Sequence, residues 1–212
     1  MNTTGLNVVR IEDEKLLAFE DQLGWEKALK MAEEYKPKAF ASVFNLLSRS
    51  NPDDIEIVYQ ERRYQAFWHI AGFSSFEFIR SKSYSINLEK NVQEVTLLNQ
   101  NFKVKDDAKI ILDGKEKCIE DYREELVIDA NYDREGNFTE YLKYPYFQIN
   151  STDDLMKENT QIMNLKTNSG NLVRRMMLKL VKPIEAEKML KEEIQINELT
   201  LYFYSVYVFE FL

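Results

Sequence analysis

The last fourteen residues, LTLYFYSVYVFEFL, constrain this chain more than any other stretch. Read as a strand, they place Leu199, Leu201, Phe203, Tyr207, Phe209 and Phe211 on one face. Tyr202, Tyr204, Val206, Val208 and Leu212 then occupy the other. A strand apolar on both faces is normally central and covered on both sides. At an open edge it would be an aggregation site. The expectation is that this segment is buried, by pairing within its own sheet or with another chain. Tyr202, Tyr204, Tyr207, Phe209 and Phe211 are therefore the candidate protein-interface residues.

The remaining patterns point to an α+β fold: N-terminal helices, a largely antiparallel sheet and a C-terminal helix-strand unit. Residues 7–11 read as a short strand. Residues 13–34 carry apolar side chains at three- and four-residue steps and read as helical, with a break at Gly24. Pro37 opens a further helix over AFASVFNLLSR. Residues 55–69 and 73–87 are rich in Ile, Val, Tyr, Phe and Trp and read as a long hairpin turning at Ala71-Gly72. A second hairpin is expected across Asn99-Gln100-Asn101. Residues 108–112 suggest a short strand ending at the turn signal Asp113-Gly114. A third hairpin is expected from 122–129 and 137–144, turning at Arg134–Asn137. Ser151 or Thr152 suits an N-cap. Leu172–Val181 fits both helical and strand periods, and residues 184–194 read as an amphipathic helix. These elements divide into 1–50, 51–150 and 151–212, as one or two compact domains.

A half-repeat runs through this pattern. Lys36-Pro37 and Lys182-Pro183 each precede a helical stretch and then an aromatic strand, with Tyr59 and Tyr64 matching Tyr202 and Tyr207. Taken as a true repeat, the second unit stops at its first strand, and a longer parent chain is expected. Taken as coincidence, it reflects only how common aromatic strands are after amphipathic helices.

Composition excludes several classes. The 212 residues are 44% apolar and 30% charged, too apolar for a disordered chain. Cys118 is the single cysteine, so no intramolecular disulfide forms, and a lone thiol fits a reducing compartment. The N-terminus shows no signal-peptide pattern, and no apolar run approaches the roughly 18 residues of a membrane-spanning helix. A cytoplasmic, non-membrane protein is the expectation. Net charge is −8, with 11 acidic against 4 basic residues in 118–160. An acidic chain is a poor general binder of nucleic acid, because phosphate affinity comes from Lys and Arg.

Candidate chemistries are few. His69 is the only histidine. One His and one Cys are too few for a structural zinc site, and no local signature supports a His69–Cys118 nucleophile pair. Glu120, Asp121, Glu124, Glu125 and Asp129 form an acidic run that could hold Mg²⁺ in a hydrolase. Strand alternation splits that run between two faces, which fits a solvated strand edge. Asp129, Asn131, Asp133, Asn137 and Glu140 stand at calcium-loop positions 1, 3, 5, 9 and 12. Arg134 replaces the required glycine, however, and calcium binding is not expected. No GxxxxGK[ST], GxGxxG or GxSxG motif occurs.

Basic and aromatic residues interleave at Arg62, Arg63, Arg80 and Lys82, the candidate nucleic-acid-binding set. Neither a catalytic set, a metal site nor a cofactor site is expected. The leading expectation is a non-catalytic assembly or interaction module binding a protein partner or a second copy. A nucleic-acid-binding accessory protein and a metal-dependent hydrolase using residues 120–140 are the alternatives.

Overall fold

The computed structural model describes residues 6–39, 55–104, 108–156 and 160–212. Ten strands and two α-helices are found there. In order they are β1 (Leu6–Ile11), β2 (Lys15–Phe19), α1 (Trp25–Ala39), β3 (Ile57–Asn87), β4 (Glu94–Leu97), β5 (Gln100–Lys103), β6 (Lys109–Asp129), β7 (Arg134–Glu135), β8 (Tyr146–Gln148), β9 (Thr160–Ile162), α2 (Ser169–Leu180) and β10 (Lys188–Phe211).

Strand pairing dominates, so the α+β expectation with N-terminal helices is overturned in favour of a mostly-β protein built on one large mixed sheet. The sheet runs β7-β6-β3-β10-β2-β8, with β1 also on β10 and β9 also on β3. β10 pairs β2 in parallel, Thr200 opposite Lys15 and Phe203 opposite Ala18. β3 pairs β9 in parallel at Arg62–Tyr64. β2 and β8 are antiparallel. Reciprocal bonds between Glu56 and Leu212 make β3 and β10 antiparallel there. β4 and β5 form a separate hairpin.

The described residues within 1–10, 73–123 and 178–195 form one compact unit. Those within 11–72, 124–177 and 196–212 form another. β3, β6 and β10 pass through both.

Several local expectations are corrected by tertiary pairing. Residues 15–19 are a strand rather than helix, because β10 and β8 satisfy their backbone. The helix begins only after Gly24, whose φ of +71° suits glycine and whose carbonyl accepts from Ala28 N–H. Most of the helix expected after Pro37 lies outside the described residues.

Residues 57–87 are one continuous strand with no turn at Ala71-Gly72. Gly72 does not adopt the positive φ that a tight hairpin turn requires. Neighbouring Ser74 is wholly buried, its hydroxyl donating to Leu180 C=O at 2.8 Å. Asp113-Gly114 likewise lies inside β6, where the Tyr84 ring covers the glycine. The chain after β6 turns at Ala130–Asp133, earlier than expected. Residues 137–144 are not a strand; they hold a 3₁₀ turn at Tyr141–Lys143.

Residues 188–194 belong to β10 rather than to a helix. Helical propensity is a weak preference, and pairing overrides it. Glu187 N–H donates to Ile79 C=O at 2.8 Å, and Lys191 meets Glu193 two residues on, as strand neighbours on one face do. Leu172, Met176 and Leu180 are fully buried at four-residue spacing while Leu178 is exposed. That pattern settles the ambiguous segment 172–181 as helix α2, with Asn168 accepting from Asn171 N–H at its start. The Asn99 hairpin forms with its turn at Leu98-Asn99, both at positive φ. Ser151 is an N-cap, as expected.

Candidate functional site

Two features stand out, one in each compact unit. The first is an aromatic recess where β2 ends and β10 continues. β2 pairs β10 only as far as Phe203. Beyond it, residues 20–23 turn away from the sheet. Asp21 Oδ1 accepts from Leu23 N–H and Gly24 N–H, each at 3.1 Å, which fixes the turn. The recess holds about 400 Å³ between this turn, Tyr204–Tyr207 of β10, and the rings of Tyr141 and Tyr144.

Phe19 lines it and belongs to a cluster of nearly parallel rings. Tyr202, Phe19 and Phe67 are mutually stacked, with the Tyr202 centroid 5.4 and 5.2 Å from the other two and interplanar angles of 18° and 15°. Phe138 stacks on the Phe67 ring at 4.5 Å. Such pairs contribute about 0.5–1.5 kcal/mol each beyond the area they bury. Above the stack the rings tilt: Tyr141 meets Tyr204 at 5.1 Å and 41°, and Tyr144 at 6.4 Å and 64°.

One wall carries a polar network. The Tyr207 hydroxyl donates to Asp21, and Arg62 Nη2 lies 3.1 Å from the same carboxylate while donating to Tyr64 Oη at 2.8 Å. Burial alone would raise the Asp21 pKa. The Tyr207 hydroxyl, Gly24 N–H, the Arg62 charge and Leu23 N–H together hold it below the usual carboxylate value. Burial, then the Asp21 hydrogen bond, pushes Tyr207 up to about 12. Burial, then the Glu198 charge, pushes Tyr202 to about 12 as well. Tyr204 is raised chiefly by burial, and its hydroxyl donates to Gln65 Oε1 at 2.8 Å.

The second feature is a two-stranded arm. Arg80–Asn87 of β3 runs antiparallel to residues 109–116 of β6, with Leu88 N–H donating to Ala108 C=O at 2.8 Å. All of residues 81–87 are exposed, and no residue of β6 from Ile111 to Glu125 is buried. Ile111 and Ile119 are 63% and 66% exposed. Side-chain bonds tie the two strands. Arg80 Nε donates to Glu116 at 2.7 Å, Tyr84 donates to the same carboxylate, and Ser83 donates to Asp113 at 2.5 Å.

The other residues singled out in the sequence are placed as follows. Phe209 packs against Trp25, 5.9 Å between rings, and Phe211 is half-buried. Arg62 and Arg63 alternate along β3, Arg63 pairing with Glu61. Arg80 and Lys82 lie in the other unit, Arg80 on Glu116. His69 Nε2 is 2.8 Å from Glu125, whereas Cys118 Sγ is 4.0 Å from Glu116, so the two have different partners. In the acidic run, Glu120 accepts from Tyr122 at 2.6 Å. Asp129 accepts from Asn131 and Tyr132 N–H, and the Asn131 side chain bonds Ala66, Met163 and Asn164 backbone. Asp133 is held by Arg175 and then Thr167, which lower its pKa. Those side chains thus fix a turn. Among the described residues no three His, Cys, Asp or Glu side chains group as a metal site would require. No described helix is long and apolar enough to cross a membrane.

Tyr141, Tyr144, Phe19 and Asp21 entered the recess without any sequence signal joining them. Their only local cue was the Asp21-to-Gly24 turn chemistry. In comparisons with family models, curated proteins and solved structures, nothing matches this chain.

Proposed function

We propose that this chain is a non-catalytic interaction module whose arm, residues 80–87 with 109–119, docks on a second copy of the same chain. The observation that supports the reading is the arm's exposure: residues 81–87 are all exposed, and Ile111 and Ile119 lie on an uncovered face of β6. A two-stranded ribbon by itself is at best marginally stable in water. A second copy packed face to face would cover Ile111 and Ile119 and give each ribbon a second layer.

Charge does not oppose this occupant. The arm carries five basic and two acidic side chains in a chain of net charge −8. Arg80, Lys115 and Lys117 are paired with Glu116, Glu187 and Glu77, so most of that charge is already neutralised within each copy.

Sedimentation of the full chain across a hundredfold concentration range tests the reading. Self-association is expected, and Ile111→Lys with Ile119→Lys should shift it to monomer with little change in melting temperature. A chain that stays monomeric throughout, or a dimer indifferent to both substitutions, would overturn it.

A further inference from the structure

The recess beside β10 has the chemistry of a cation cage, and we propose that it binds an organic cation: a quaternary ammonium or guanidinium group. Ring faces carry negative quadrupole potential and attract such groups within about 6 Å of the centroid. Here Tyr141, Tyr144 and Tyr204 are mutually inclined by 41° and 64°, so they present faces to a shared space rather than stacking shut. A volume of about 400 Å³ accommodates a trimethylammonium head with part of its attached chain.

Two of the chain's own cations already use rings at this place. Lys143 Nζ sits 5.7 Å from the Tyr144 centroid, and Arg62 Cζ sits 6.0 Å from that of Tyr207. Charge balance also favours a guest cation. Asp21 is neutralised by Arg62, whereas Glu20, exposed beside the recess, has no ion pair among the described residues. The bound cation would displace Lys143 from the Tyr144 face and be balanced by Glu20. This inference is independent of the arm, which belongs to the other compact unit.

Calorimetry on the full chain with tetramethylammonium, and with neopentyl alcohol as a soluble neutral near-isostere, tests the proposal. Tetramethylammonium should bind at least about fivefold more tightly than the isostere. Tyr144→Leu should weaken it about tenfold and Tyr144→Phe only slightly, since phenylalanine keeps the ring face. Lys143→Ala should strengthen binding, and Glu20→Gln should weaken it and flatten its dependence on salt. Unchanged circular dichroism of each variant would separate lost binding from lost folding. Choline and a trimethyllysine peptide then distinguish a free ligand from a protein side chain. Equal affinity for the neutral isostere would show a merely apolar recess, and absence of millimolar binding to either probe would overturn the proposal outright.

Discussion

The two halves of the β10 segment in the second unit are built from the same kinds of residue and have different fates. Leu199, Leu201, Tyr202 and Phe203 are buried, while Tyr204 through Phe209 and Phe211 are only half-buried. Local composition does not separate them. What separates them is β2, which pairs with Thr200–Phe203 and then leaves the sheet at Phe19. Covering of a strand is decided by where its neighbours stop. The recess opens at that stop, and the polar Asp21–Arg62–Tyr207 network holds the departing turn against the uncovered half.

The comparison can be broken most severely by removing the strand. A fragment ending before Leu199 loses the sheet position between β3 and β2, and should show no cooperative melting. A soluble, cooperatively unfolding 1–198 fragment would disprove the central role given to this strand. Next in size is Phe203→Ala, where a fully buried ring is lost. Chemical denaturation should register a loss of about 3–5 kcal/mol.

Acid should act on the uncovered half specifically. The Asp21 pKa in the folded state lies below its ordinary 3.8. Its contribution is therefore fully present above that value and is lost as pH falls through the folded pKa. The melting temperature should drop below about pH 4, and Asp21→Asn should make that drop shallower while lowering stability at neutral pH. An identical acid profile in the variant would mean the network contributes nothing.

The smallest expected effect is that of Phe211→Ala. This half-buried ring should cost about 1 kcal/mol or less, since little of it leaves water on folding. A loss as large as that at Phe203 would show that the end of β10 is covered in solution, as pairing between copies would make it.

Legibility from sequence followed the same division. The C-terminal strand and the Asn99 hairpin were readable because alternation and turn residues are local signals. The Ser151 cap was readable for the same reason. The supposed turns at Ala71-Gly72 and Asp113-Gly114 were misread because small residues punctuate strands as well as end them. At Gly114 the glycine instead makes room for the Tyr84 ring across the pair. Residues 188–194 carry a helical pattern that strand pairing overrode. The recess was illegible, because Phe19 is 122 residues from Tyr141 and Tyr141 is 63 from Tyr204, and they meet only through the sheet.

By itself, the sequence led to the expectation that all of Leu199–Phe211 would be buried, since so many adjacent apolar side chains lose too much free energy in water; full burial stops at Phe203. It also determined the Ser151 cap, where a side chain bonds its own neighbouring backbone. Only the tertiary structure decided which strands supply that cover, that β3 runs 31 residues without turning, and that a tyrosine recess forms where β2 departs. The reason is physical: strand pairing is satisfied by partners remote along the chain, and no local pattern records where a remote partner ends.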